Sequence, residues 1–296
     1  FSDLRSKHFV YYPNEKSPME LLGLKYRTKL SRLALFTNLH IFVVTLRCDH
    51  SCPYCQVSRQ SEDKSSFDMT VEMADKSIDF VFESPSPAVK IEFQGGEPLL
   101  NFDLVKYIVM RAKEINQREG KDLQFVIATT LSLLTDEILL FCKEHDIFIS
   151  SSLDGPEALH NKNRPRPGKN SYQKFISGLN KARDSLGFDK VSALMTTTDN
   201  SLGSVKEIID EYVSLGFEGI FLRPLSPYGF AIKTKKFLAY QTDSWLEFYK
   251  EGLEYIIELN KKGINFTEYY SSIILSKILT SNDTGYVDLM NPSGIG

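Results

Sequence analysis

From residue 38 onward, short runs rich in β-branched and aromatic residues alternate with longer stretches whose apolar positions recur every three or four residues. The runs LHIFVVTL, VKIEF, LQFVIATT, IFISSS, KVSALMTTT and GIFLRP have the length and composition of strands. Each is followed by a stretch of helical period: TVEMADKSIDFVF, NFDLVKYIVMRAKEI, TDEILLFCKEH, SYQKFISGLNKARDSLG, SVKEIIDEYVSLG and TDSWLEFYKEGLEYIIELNKKG. Thr70 stands where it can N-cap the first of these helices. Six such units predict an α/β fold on a parallel sheet, built either as an open doubly wound sheet or as an incomplete barrel. In both architectures ligands bind at the C-terminal ends of the strands.

The segments of unusual composition fall at those ends. RCDHSCPYC follows the first strand, QGGEP the second, SLDGP the fourth and RPLSPYG the sixth, so one mouth gathers all four. Residues 1–37 are polar and irregular and read as an N-terminal extension, with leader-peptide recognition by an added strand as one use for it. Residues 38–263 hold the strand and helix units, and 264–296 read as a linker and the start of a C-terminal region. No fixed-period repeat stands out, and NRPRPGKNS reads as the loop before the fourth helix.

Composition narrows the partners. A chain of 296 residues at 42% hydrophobic content can bury a large core. The formal net charge is −3 and the 35 Lys and Arg are dispersed, which argues against nucleic acid as the main partner. No apolar run approaches the roughly 18 residues of a membrane span, and FSDLRSKHFVYY lacks the layout of a signal peptide. A soluble, cytoplasmic protein with no membrane association is expected. The chain opens without Met and closes on NPSGIG, so a fragment of a longer protein is expected as well.

Of four cysteines, Cys48, Cys52 and Cys55 crowd into eight residues, whereas a disulfide framework spreads its cysteines. This spacing turns three thiolates toward one point. Three thiolates on a [4Fe-4S] cluster leave one iron open to a small molecule. The alternative is a zinc site, with His50 as fourth ligand. Cys142 lies on the apolar side of TDEILLFCKEH and reads as a buried, inert thiol. The absence of GxGxxG argues against a dinucleotide site.

CxxxCxxC directly after the first strand, Tyr54 just before the third cysteine, and GGEP after the second strand together resemble the radical S-adenosylmethionine (SAM) superfamily. The resemblance implies a partial (β/α)6 TIM-like barrel with a [4Fe-4S] cluster on Cys48, Cys52 and Cys55. It also implies SAM bound to the open iron through its amino and carboxylate groups, and reductive cleavage to methionine and a 5'-deoxyadenosyl radical. Gly95 and Gly96 lack a Cβ, so their backbone can approach a ligand closely, and in similar enzymes this turn holds the SAM ammonium. Glu97 then fixes the amine or braces the loop. SSSLDGP with HNKNRPRPG resembles the S-x-D-G-P…H…R stretch of radical SAM maturases, which assigns Ser152 and Arg164 to SAM. A charge-assisted Arg bond is worth about 1.5 to 3 kcal/mol, so loss of Arg164 implies about 10- to 100-fold weaker SAM binding. Asp154 and His160 fit caps as well as substrate contacts.

Where the family often has T-N-G after the third strand, this chain has Thr130, Leu131 and Ser132, and no site role is assigned there. Arg223 fits a substrate contact or an ion pair. Leu225 and Tyr228 fit adenine packing or ordinary loop core, and the aromatics from Trp245 to Tyr270 recur at helical spacing and fit packing. The expected cofactor-binding set is thus Tyr54, Gly95, Gly96, Glu97, Ser152, Arg164 and Leu225.

A longer match joins FTNLHIFVVTLRCDHSCPYCQVSRQSEDKSSFDMT to IATTLSLLTDEILLFC and IFISSSLDGPEALHNKNRPRPG. Over residues 36 to 231 it resembles the radical SAM maturases of His-Xaa-Ser peptide systems, a branch that carries a C-terminal SPASM domain. That branch implies removal of a Cβ hydrogen from a ribosomal precursor peptide, leader plus core, and a C–C cross-link to an aromatic or His side chain, giving a three-residue cyclophane. It further implies a flavodoxin- or ferredoxin-type reductant, a paired second maturase and auxiliary [4Fe-4S] clusters in the SPASM domain. VDLMNPSGIG, with Ser293, resembles the lead-in to that domain, and the catalytic base is expected there. The rival readings are a formylglycine-forming sulfatase maturase and a non-catalytic zinc scaffold that delivers peptide.

Overall fold

Five of the six expected strands form one sheet. The structure, a computed structural model, describes residues 1–6, 9–15, 18–31, 38–57, 59–61, 63–226, 228–235 and 241–280. In it β1 (Leu39–Thr45), β2 (Ala88–Gly95), β3 (Asp122–Thr129), β4 (Phe148–Ser152) and β5 (Val191–Leu194) lie in chain order, each parallel to the next. Ahead of the sheet come α1 (Ser2–Ser6) and α2 (Pro18–Leu30). The connections carry α3 (Lys64–Phe67) with α4 (Val71–Glu83), then α5 (Phe102–Glu119), α6 (Asp136–Glu144), and α7 (Glu157–Asn163) with α8 (Ser171–Leu186). After β5 comes α9 (Val205–Ser214). Thr70 caps α4 as expected, its hydroxyl accepting from Met73 N–H at 3.2 Å.

Register decides between the two α/β architectures. Phe42 stands opposite Phe93, Phe93 opposite Ile127, Ile127 opposite Ile149 and Ile149 opposite Val191, so these side chains make one row on one face. Against its first half pack Ile78 of α4, Ile108 of α5 and Ile138 of α6. Phe175 and Leu179 of α8 and Ile208 of α9 pack against the second half. With the helices on a single face the sheet is wound as in a barrel, and the doubly wound alternative falls. The opposite, inner face stays open: Leu39, Ile41 and Val43 are exposed, and Glu92, Gln94, Ser150 and Ser152 are half-buried.

The sixth unit departs from expectation. GIFLRP forms only β6 (Gly219–Ile220), which pairs in parallel with β7 (Thr267–Glu268) and not with β5. Past Ile220 the amides turn elsewhere, Leu222 N–H to the Glu268 carboxylate at 3.2 Å and Arg223 N–H to the Phe221 carbonyl at 2.7 Å. A bond from Thr197 N–H to the Arg223 carbonyl, 3.1 Å, keeps this run beside the end of β5. The described chain closes with α10 (Phe230–Lys233), α11 (Thr242–Lys261) and, after β7, α12 (Tyr269–Leu279). VDLMNPSGIG and Ser293 lie outside the described residues. Among the described residues no helix is long and apolar enough to cross a membrane.

Replacing Thr70 by Ala is expected to cost about 1 kcal/mol of stability through loss of the cap. Urea unfolding should show a lower midpoint with an unchanged slope.

Candidate active site at the cysteine loop

The loop that leaves β1 reaches its place because two glycines let β2 pass close beneath it. A Cβ on Gly95 would stand 2.2 Å from the Thr45 carbonyl oxygen, and one on Gly96 2.0 Å from that of Arg47. Gly95 also has φ +157°, at the edge of the range that L side chains rarely adopt. The same approach lets Gly96 N–H donate to Thr45 O at 2.8 Å and Glu97 N–H to Arg47 O at 2.7 Å. The close approach that calls for glycine is therefore to the cysteine loop's own backbone. Arg47, just ahead of Cys48, forks onto Asp68 at 2.7 and 2.8 Å.

Loops from the other strands then grip the cysteine loop. Asp49 accepts from Ser132 Oγ of the loop after β3 at 2.6 Å. Ser51 N–H donates to the Pro165 carbonyl at 2.7 Å. From the loop after β6, Phe230 N–H donates to Cys55 O at 2.7 Å, and Gly229 sits so close that a Cβ would meet the Gln56 and Cys55 carbonyl oxygens at 2.4 and 2.6 Å. Tyr54, Leu225 and Ala231 are buried together against Cys52.

A buried carboxylate ties the fourth loop in. Asp154 is 0% exposed; one oxygen takes Arg164 Nη2 at 2.9 Å and Thr196 N–H at 3.3 Å, and the other accepts the Tyr54 hydroxyl. The Arg164 guanidinium also lies over the Tyr54 ring, 5.6 Å from its centre. Its buried Nε has no partner among the described residues, a donor left over for an anionic ligand. Ser152 lies on the inner face at the end of β4.

Glu97 takes the bracing alternative. It is fully buried and accepts from Leu99 N–H, Thr129 Oγ1, Thr130 N–H and Thr130 Oγ1 at 3.2, 2.6, 2.8 and 2.8 Å. Burial raises its pKa, against the pull of the Thr129 and Thr130 bonds. Thr130-Leu131-Ser132, to which the sequence assigned no role, thus links Glu97 to Asp49. Leu131 holds φ +64° without being glycine, and Gly178 makes the room, since a Cβ there would lie 2.6 Å from the Leu131 carbonyl. Arg223 reaches the cysteine loop at Gln56 Oε1, 3.5 Å away. Cys142 is buried, and burial pushes its thiol up to about 12, the inert cysteine expected.

Cys48, Cys52 and Cys55 are free and half-buried. Burial raises the Cys48 thiol and pushes Cys52 up to about 12, although the Arg164 charge pulls Cys52 the other way. Ionised thiolates here call for a bound metal's charge. His50 is not available as a fourth zinc ligand: Nδ1 is 2.8 Å from Asp49 and Nε2 is 2.9 Å from Ser171 Oγ. Although Cys48, Asp49 and His50 present donor atoms within 4.8 Å of one another, the ring nitrogens are spent. Three thiolates, a neighbouring unpaired guanidinium nitrogen and an open inner face fit a cluster with one open iron and a carboxylate-bearing ligand.

The family model of the Radical SAM superfamily matches residues 42–212, more than half of the chain. Uncharacterized protein MJ0907 of Methanocaldococcus jannaschii is 29% identical over 188 residues, 63% of this chain and 62% of that protein. A serine-type anaerobic sulfatase-maturating enzyme of Bacteroides thetaiotaomicron is 29% identical over 140 residues, 45% of this chain and 33% of the enzyme. Among solved structures, anSMEcpe with bound AdoMet has a TM-score of 0.68 at 18% identity, covering 83% of this chain and 67% of its own. Streptococcus suis SuiB bound to precursor peptide SuiA has 0.58 at 15%, covering 90% and 58%. The chain therefore spans under two thirds of the length of both sequence relatives.

Asp154→Asn should leave a buried guanidinium without its counter-charge and cost about 3–5 kcal/mol, read by urea unfolding of the metal-free protein. Gly96→Ala should be strongly destabilising as well, because the atom 2.0 Å away is backbone and cannot swing aside.

Proposed function

The chain belongs to the radical SAM superfamily and works with a [4Fe-4S] cluster and SAM, and on that premise we propose that it is a peptide maturase. It removes a Cβ hydrogen from a ribosomal precursor peptide and joins that carbon to an aromatic or His side chain. The observation that carries this reading is the open inner face beside the cysteine loop, where Leu39, Ile41 and Val43 present an exposed apolar row to an extended chain. SuiB, whose fold is similar, is bound to a precursor peptide.

In this reading Cys48, Cys52 and Cys55 hold the cluster, which when bound supplies the electron that cleaves SAM to a primary carbon radical. Arg164 Nε and the Ser152 hydroxyl would hold the SAM carboxylate and ribose, the Gly95–Gly96 backbone would hold the ammonium, and Tyr54 and Leu225 would supply apolar contacts. Glu97 acts through the loop it braces. Forming the C–C bond after Cβ hydrogen removal releases one electron and one proton. In this reading auxiliary [4Fe-4S] clusters of the kind the SPASM resemblance implies would take the electron. Residues 1–37 bind the leader. Among the described residues of this extension, Val10, Tyr11, Met19 and Leu22 line a cavity of about 780 Å3 between α1 and α2. The setting is cytoplasmic, with a flavodoxin- or ferredoxin-type reductant and a paired second maturase.

The sulfatase-maturating relative supports a second reading, oxidation of a Cys or Ser in a sulfatase to formylglycine. Both predict 5'-deoxyadenosine from the anaerobically reconstituted, reduced enzyme given SAM alone, and none from the variant with Cys48, Cys52 and Cys55 all changed to Ala. Zinc in place of iron, with no product, would sink both readings and restore the scaffold. Mass spectrometry of modified peptide separates the two: a cross-link removes two hydrogens and leaves no carbonyl, whereas formylglycine reacts with a hydrazide.

Arg164→Lys tests the carboxylate assignment, because it keeps a positive charge for buried Asp154 while removing the unpaired Nε donor. SAM affinity, measured by the spectral change on titration, should fall about 10- to 100-fold with iron content retained.

A further inference from the structure

A buried polar chain behind the cysteine loop has no part in the chemistry above. His50 is 3% exposed, Ser171 2% and His160 2%. They stand in series, with His160 Nε2 3.0 Å from Ser171 Oγ and Ser171 Oγ 2.9 Å from His50 Nε2. The direction of the bonds follows from the far end. Asp154 N–H points at His160 Nδ1 at 3.4 Å, and burial, with the nearby Arg164 charge, lowers His160 to about 3. That ring is therefore neutral, with its hydrogen on Nε2 donated to Ser171. The serine's own hydrogen is left for His50 Nε2, and His50 Nδ1–H for Asp49 at 2.8 Å.

Asp49 is in turn held by Ser132 at 2.6 Å and faces Arg166 at 3.4 Å. A ring gripped at both nitrogens away from water keeps one position, because any other leaves buried polar atoms unpaired. That fixes the backbone of His50, whose N–H donates to Cys48 Sγ at 3.4 Å.

We propose that His50 is a positioning residue: anchored through Ser171 to His160, it holds its own backbone N–H on Cys48 Sγ and so sets the reduction potential of the cluster. This rests on the reading of the three cysteines as cluster ligands. A hydrogen bond to a ligating sulfur stabilises the more negative, reduced cluster and raises its potential. Loosening the ring weakens that bond and makes the first electron harder to deliver. Cys48 is thereby wired, through one serine, to the loop that carries Asp154 and Arg164.

The test is a redox titration of the reconstituted enzyme, with the reduced cluster read by electron paramagnetic resonance after iron and sulfide have been counted. The parent is compared with Ser171→Ala, His50→Ala and Ser171→Thr, the last keeping the hydroxyl. At the parent's midpoint, the ratio of reduced to oxidised cluster should drop about tenfold in the two alanine variants, about 59 mV for a one-electron couple. Ser171→Thr should stay within about twofold of the parent. Parent-like midpoints in both alanine variants at equal iron content overturn the proposal, since a merely structural role lowers the melting temperature and leaves the potential alone. Should Ser171→Ala fail to fold, His50→Ala decides, because it leaves the Ser171 and His160 pair in place. A parent that takes up no iron and sulfide sinks the cluster reading and this proposal together; a loaded parent with unmoved variants sinks this proposal only.

Discussion

A carboxylate with no contact with water, that of Asp154, has to be neutralised where it sits, and the groups that do so come from three different loops. Arg164 supplies the charge, Tyr54 a hydroxyl from within the cysteine motif, and Thr196 an amide from the end of β5. Burying an ion without its partner costs several kcal/mol, so the loops that close over Asp154 have little freedom to part. The cysteine loop is held over the sheet by this demand more than by propensities of its own. Its contacts on the other side, from Phe230 and Gly229, complete the grip.

The sheet beneath supplies the flat, precise edge that such a grip needs. Because the apolar row from Phe42 to Val191 lies on one face, all the helix packing is spent there, and the inner face is left to ligands. The two glycines at the end of β2 bring its backbone under the cysteine loop at a distance no side chain permits. Rigid placement of the cysteine loop suits the cluster proposed for it, whose fourth iron must stay open, since a wandering loop would let a fourth protein ligand or water fill that position. The Asp49, His50, Ser171 and His160 chain extends this rigidity to the backbone amide on Cys48.

Much of this was legible in the residues. Period and composition located all five strands of the sheet, the long helices between them and the Thr70 cap, because burial on one face writes itself into spacing, whereas the short α3 and α7 escaped it. The three cysteines were legible as a candidate metal-binding group because they lie within eight residues of one loop, and Cys142 as inert because it sits on an apolar helical face. Two elements were misjudged for reasons a linear reading does not contain. The sixth strand shrank because Glu268, forty-six residues beyond Leu222, takes the amide that would have continued the ladder. Thr130, Leu131 and Ser132 were set aside for lacking Asn and Gly. Yet Gly178, on a helix one strand later, gives Leu131 the space for its left-handed backbone, and the flanking hydroxyls bond Glu97 and Asp49.

By itself the sequence determined which residues are candidates for chemistry and at which end of the strands they lie, since strand parity, helix period and the spacing of Cys48, Cys52 and Cys55 are local properties. Only the tertiary structure decided how they combine: that the sheet is wound on one face, that Glu97 braces while Arg164 keeps a free nitrogen, and that His50 is turned inward to Ser171 instead of outward to a metal. Those outcomes depend on which buried polar atoms find partners across a hundred residues of chain or more. Such pairing is fixed by the cost of leaving them unpaired in a dry interior, a quantity that exists only once the chain has closed around them.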